Sequence, residues 1–203
     1  FSRFARRLAE RITVLVVRSG SSEVGQRAAA SHTASSATPR VIRDALFRQA
    51  GLSAVDRLAE VPELLALLRW QPLPTGRRVA VISNAGGAGV LAGDALVGAG
   101  LSVPVLEATT RRALARLLPE GASVSNPVDT TAAAEPGVFA AAVRLLRTDP
   151  AVDAVVAVTV PVAVADPGAA IAEVAAEADA TPLLAVRPTQ TEHVVAVGEP
   201  GAR

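Results

Sequence analysis

The stretch Val79-Ala80-Val81-Ile82-Ser83-Asn84-Ala85-Gly86-Gly87-Ala88-Gly89 decides how this chain is read. A short apolar run passes straight into a polar, glycine-rich turn, and Val90 to Ala99 then reads as a helix that ends at Gly100. A strand that runs through glycines into a helix opens a βαβ unit, and its lack of alternation suits burial on both faces. Unhindered amides and the positive end of a helix dipole converge on such a turn, which makes Ser83 to Gly89 a candidate anion cradle. The glycines at 86, 87 and 89, with Gly93, do not follow G-x-G-x-x-G. No acidic residue ends a strand about 20 residues further on, so NAD is disfavoured. On the residues alone, a tight turn that needs its glycines only for geometry stays open beside the anion cradle.

Working outward, short apolar runs alternate with longer amphipathic stretches. Strands are expected at Ile12 to Val17, Leu52 to Val55, Val79 to Ile82, Val103 to Leu106, Ala154 to Val160 and Leu183 to Val186. Between them, Thr38-Pro39 reads as an N-cap and first-turn proline, with Gly51 closing that helix. Further helices are expected at Leu58 to Leu68, Thr110 to Leu118, Gly137 to Arg147 and Ala169 to Ala178. The fold class is therefore α/β with parallel sheets. Trp70 to Arg78, with Pro72, Pro74 and Gly76, is the best linker, so the expected division is 1–70 and 71–203. The first part, with two weak strands, makes a poor core alone, and further sheet is expected before Phe1.

Composition removes several functions. Half of the 203 residues are apolar, 19% are charged and mean hydropathy is +0.38, the balance of a globular chain. The longest uncharged apolar run, Ala154 to Ala165, is shorter than the roughly 20 residues that cross a bilayer, so no membrane span and no membrane partner are expected. No secretory leader opens the chain, and a reducing cytoplasm is the expected location. All 20 basic residues are Arg, which excludes a Schiff-base lysine and a Walker A lysine. With no cysteine and only two histidines, His32 and His193, no metal site is expected. A net charge of +1 and a single Trp give neither the basic face nor the stacking platform of a nucleic-acid binder. Met is absent even at position 1, which reads as a segment of a longer protein.

His32 is the leading chemical candidate. It lies in AAASHTASSATPR, among small residues that let backbone amides approach a ligand, ahead of the helix expected from Thr38. Helix N-termini favour anions by about 0.3 to 1 kcal/mol, so a histidine there is placed to carry a phosphoryl group. A surface-loop histidine without a role is the alternative. Ser125-Asn126-Pro127-Val128-Asp129-Thr130 is turn and cap chemistry that could also line a site at a sheet edge. His193 reads as structural or exposed. No G-x-S-x-G elbow is present, and nothing in the sequence marks an acid for His32.

The segments SHTASSATPRVIRDALFRQAGL (from Ser31), QPLPTGRRVAVISNAGGAGVLAGDAL (from Gln71), and ASVSNPVDTT (from Ala122) followed by a helix and AVDAVVAV resemble the NDP-forming acyl-CoA synthetases. These include the ADP-forming acetate–CoA ligases and are relatives of succinyl-CoA synthetase. The match covers nearly the whole chain, in order. The resemblance implies two flavodoxin-like three-layer lobes, the first incomplete, and a phosphohistidine at the position of His32, lying between the N-termini of two helices, one from each lobe. By the same resemblance Ser31, Thr33, Asn84, Gly86, Gly87 and Gly89 surround the phosphate.

Two departures accompany the resemblance. The glycine that follows SHT in the family is Ala34 here, which adds a Cβ where the backbone approaches closely. The CoA-binding and ATP-grasp parts, and the carboxylate that orients the family's histidine, are not in the sequence and are expected in cis or in trans. CoA and ADP/ATP with Mg are thus substrates of the whole enzyme, with an acyl-CoA or carboxylic acid, and none is expected to bind residues 1–203 alone. A similar region is fused to GNAT acetyltransferases that modify protein lysines. There it can serve as a regulatory ligand-binding module, in some members without the histidine, and Ala34 resembles those forms.

Overall fold

The computed structural model describes residues 2–19, 22–32 (29–32 by backbone alone), 38–162, 166–177 and 180–188. The chain forms two compact units, Phe1–Leu65 and Ala66–Arg203. The first contains α1 (Ser2–Ala9), β1 (Leu15–Val17), α2 (Glu23–His32), α3 (Arg40–Gln49), β2 (Ser53–Val55) and the first half of α4 (Glu60–Trp70). Its sheet is β1 and β2, paired in parallel from Leu15↔Ser53 to Val17↔Val55. Ala5, Phe47, Ala50 and Leu52 form its small core.

Local chemistry explains these helices, including α2, which the sequence reading missed along with α1. Ala28 to His32, read above as loop, belong to α2. The Ser22 hydroxyl accepts the Gly25 N–H at 3.1 Å, Glu23 occupies the first turn, and the alanines that follow have the highest helix propensity of any residue. Pro39, expected as the first helical residue, instead sits outside α3 with ψ 142, and no side chain caps the helix. The other end is as read. Gly51 takes φ +73, its N–H reaches Arg48 O, and the Leu52 N–H reaches Phe47 O, the paired bonds of a Schellman closure.

The second unit holds β3 (Val79–Ser83), α5 (Gly86–Gly98), α6 (Ala108–Leu117), β4 (Val128–Asp129), α7 (Pro136–Arg147), β5 (Ala154–Val158), α8 (Gly168–Ala176) and β6 (Leu183–Val186). The sheet is all parallel in the order β4-β3-β5-β6. Ile82, Leu114, Phe139, Leu146, Val155 and Ile171 are among its fully buried side chains. The α/β reading with parallel sheets is borne out.

One expected strand fails for a specific reason. Val103 to Leu106 is not a strand, and only Ser102 bridges Arg78. Pro104 lacks the N–H that ladder pairing needs. Asn126 takes the place instead: its Oδ1 accepts the Val81 N–H at 2.9 Å, and its Nδ2 donates to Val79 O and Pro104 O. The two residues of β4 follow directly on this side-chain graft.

Asp153 anchors the entry to β3. It is buried and accepts from the Arg78 backbone N–H, Nε and Nη2 and from the Thr75 hydroxyl, with Gly76 packed against its carboxylate. The Arg78 guanidinium and N–H hold its pKa down to about 2. The folded state thus resists protonation more than the unfolded chain does. Its contribution is complete above the ordinary 3.8 and disappears as the pH falls to about 2. Urea midpoints measured between pH 5 and 2.5 are expected to fall less steeply in Asp153→Asn, which also starts from a lower midpoint.

Candidate functional site

The carboxyl edge of the four-stranded sheet gathers the polar residues of the second unit. Strand order reverses between β3 and β5, and open α/β sheets bind ligands outside the carboxyl ends of the strands at that point. All five residues of β3 are buried. At its end the Ser83 hydroxyl accepts the Ala85 N–H and donates to Ala85 O, which turns the chain sharply into α5. Asn84 spans the crevice: its Nδ2 donates to Val160 O and its Oδ1 accepts the Val160 N–H, both at 2.8 Å. Its side chain thus ties the ends of β3 and β5 together.

The glycines do different work from one another. The sequence reading began the helix at Val90, but α5 begins at Gly86 after an extended Ala85, so the glycines are its first turn. The N–H groups of Ala88 and Gly89 already bond Ala85 O. Among the described residues those of Gly86 and Gly87 have no acceptor, the normal state of a helix start and a ready anion site. Gly93 instead lets α5 lie against Pro127, where an added Cβ would stand 3.3 Å from its Cγ, whereas a Cβ on Gly89 would make only ordinary contacts with Ser83 and Pro127.

A Cβ on Gly86 would stand 2.5 Å from Oδ2 of Asp129, whose Oδ1 accepts the Thr131 N–H. Around Gly87 there is open space. Gly86→Ala must therefore displace Asp129 from Thr131 and is expected to cost roughly 1 to 2 kcal/mol. Gly87→Ala meets nothing and is expected to stabilise by up to about 1 kcal/mol, because it removes chain entropy from the unfolded state. Denaturant titration of both variants checks the opposite signs.

Ser31 and His32 are the last two residues of α2, and their side chains, with Thr33 and Ala34, lie outside the described residues, as does His193. Asp129 and Thr159 also stand at this edge, and sequence reasoning assigned neither a role. Asp129 was visible only as part of a turn motif. Thr159 gave no signal, because its peculiarity is a buried hydroxyl without a partner. At the far end of the edge, Asp166 accepts the Gly168 N–H and pairs with Arg187 at 2.8 Å, which lowers its pKa. Among the described residues no group of three metal-ligating side chains is found, and no helix is long and apolar enough to cross a membrane. In the first unit a cavity of about 310 Å³ is lined by Arg18, Asp44, Arg48, Val41, Phe47, Leu52 and Ala54, none of them nominated above.

This edge, with its open helix start at the switch point of a parallel sheet, belongs to a flavodoxin-like α/β fold. Residues 1–68 match the Succinyl-CoA ligase like flavodoxin domain and residues 79–196 match the Ligase-CoA domain. The chain belongs to the NDP-forming acyl-CoA synthetase family. It is 40% identical over 162 residues to the alpha subunit of Acetate–CoA ligase [ADP-forming] II of Pyrococcus furiosus, covering 79% of this chain and 35% of that one. It is 36% identical over 136 residues to the Acetate–CoA ligase [ADP-forming] of Methanocaldococcus jannaschii, covering 67% and 19%. Among solved structures, the dinucleotide forming Acetyl-coenzyme A synthetase 1 of Ca. Korarchaeum cryptofilum, in complex with phosphate and ADP, superposes with a TM-score of 0.82 at 28% identity, over 92% of this chain and 41% of that one. The chain thus spans about a third or less of the length of these two curated relatives.

Proposed function

We propose that residues 1–203 are the phosphoryl-carrying segment of an ADP-forming acyl-CoA synthetase, which in full interconverts acyl-CoA, ADP and phosphate with a carboxylic acid, CoA and ATP. The His32 imidazole attacks the phosphorus of an acyl phosphate, the carboxylate leaves, and ADP then takes the phosphoryl group from the histidine. Gly86 and Gly87 offer their N–H groups to phosphate oxygens, Asn84 and Gly89 hold that geometry, and Ser31 and Thr33 flank the histidine. CoA binding and the handling of Mg-nucleotide fall to other parts of the whole protein, in cis or in trans. The functional boundary is drawn between residues 70 and 71, at the end of α4. The nature of the substrates puts the protein in the cytoplasm.

The observation that carries this reading is the start of α5, where two amides without acceptors follow a buried strand at the switch point. Its support is the family to which both parts of the chain belong, with a histidine standing in Ser31-His32-Thr33. The test is turnover by the whole protein: acid, CoA and Mg-ATP should yield acyl-CoA, ADP and phosphate in equal amounts. If no acid supports turnover and a CoA ester instead alters the activity of a fused acetyltransferase, the segment is a regulatory ligand-binding module of a lysine acetyltransferase and this reading falls.

A further inference from the structure

Two arginines and two aspartates of the first unit close a ring at the roots of the segment that carries His32. Arg18 directly follows β1, where its N–H adds a last rung to Val55 O at 2.7 Å, and Arg40 is the first residue of α3. Residues 19–39, which include α2 with His32 at its end, lie between them. Arg18 Nη2 pairs with Oδ2 of Asp56 at 2.8 Å, and Arg40 Nη2 stands 3.5 Å from both oxygens of the same carboxylate. Asp44, one turn along α3, closes the ring. Arg18 Nη1 stands 3.4 Å from its Oδ1, and Arg40 Nε 3.5 Å from its Oδ2. Asp56 directly follows β2, so the ring spans the ends of both strands and the start of α3.

The fold has little need of this ring. The Asp56 side chain is 49% exposed, and ion pairs so open to water add little to stability. The core of this unit is built elsewhere, by Ala5, Phe47, Ala50 and Leu52. Nor is the ring an anion site, because each guanidinium already faces two carboxylates. What it fixes is the separation of residues 18 and 40. That separation matters because packing does not hold α2: among its described side chains none is buried, and Val24 is 67% exposed. We infer that Asp56 is a positioning residue for His32. By holding Arg18 and Arg40 together, it sets where the histidine segment leaves the sheet and where it returns. A nucleophile displaced by a fraction of an ångström loses rate without loss of fold. The inference rests on the phosphohistidine reading and adds the residue that holds the carrier in place.

The experiment uses the whole protein. It compares Asp56→Asn, which keeps the shape and the Asp56 N–H bond to Glu60 but removes the charge, with Asp56→Glu, which restores the charge. In Asp56→Asn the rate of phosphoryl labelling of His32 from Mg-ATP is expected to fall about tenfold, with the KM for ATP unchanged. Its melting temperature should stay within about 2 °C of the wild type. Asp56→Glu should restore the rate to within about threefold. Arg18→Gln should also slow labelling, and combining it with Asp56→Asn should add little, because the two residues act through one pair. An unchanged labelling rate in Asp56→Asn overturns the inference. So does a slower rate accompanied by a melting temperature lowered by several degrees, which would make the ring a structural brace. If the wild type takes no label on His32, the phosphohistidine reading has failed. Hydrogen exchange then decides separately whether the ring holds the segment. Amides of α2 that exchange about tenfold faster in Asp56→Asn, with those of β2 unchanged, uphold it, and equal exchange overturns it.

Discussion

His32→Asn in the whole protein is expected to lower acyl-CoA formation by roughly 10⁴-fold or more, with the circular dichroism spectrum unchanged. Asparagine keeps a polar side chain of similar reach but has no basic nitrogen with which to attack phosphorus. If the reaction runs through a covalent phosphoryl intermediate, removing the nucleophile removes the route rather than weakening it. A loss of only a few-fold would mean that phosphoryl transfer from acyl phosphate to ADP is direct. In that case the open amides of Gly86 and Gly87 bind a phosphate that never becomes attached to the protein.

The second large effect is on stability. Asn126→Ala is expected to destabilise the fold by about 3 kcal/mol or more, read from the denaturant midpoint. Three hydrogen bonds disappear together: the Val81 N–H, Val79 O and Pro104 O all lose their partner. Each is worth about 1 kcal/mol net, and a buried backbone group left without a partner costs further. Asn126→Asp keeps an acceptor for Val81 but turns a carboxylate oxygen toward Val79 O and Pro104 O, so at neutral pH it is expected to cost at least as much as Asn126→Ala. The effect should also reach function, since Pro127 supports α5 beneath Gly93 and Asp129 stands beside Gly86.

Much of the fold was legible because its signals are local. The burial of Val79 to Ser83, the closures at Gly51 and Gly100 and the helix from Pro136 to Arg147 follow from residue type and short spacing. What escaped was decided by distant partners. Val103 to Leu106 carries a strand-like pattern, yet the pairing position beside β3 goes to a side chain from Asn126. Val128 and Asp129 look like turn residues and become β4 because that graft delivers them alongside Ile82 and Ser83. Ala28 to His32 looked like loop because small residues serve both loops and helices, and Ser22 tips the balance.

The candidate site divides the same way. The glycine turn after β3 was readable as a strand-to-helix turn, but sequence alone could not separate its glycines. Gly86 and Gly87 leave their amides open, whereas Gly93 admits Pro127. Asn84 reads as a polar turn residue and proves to be the tie between the ends of β3 and β5. Thr159 is ordinary in sequence, and the burial of its hydroxyl shows only in the structure.

The most direct test of the account is the chemistry of the phosphoryl label. The whole protein is incubated with γ-labelled ATP and Mg, freed of nucleotide, split between acid and base, and mapped by mass spectrometry. The account predicts one phosphoryl group per chain, lost in acid, retained in base, located on His32, and transferred to added ADP. A label that survives acid and maps to Ser31 or Thr33, or no label in a preparation that still forms acyl-CoA, would contradict it.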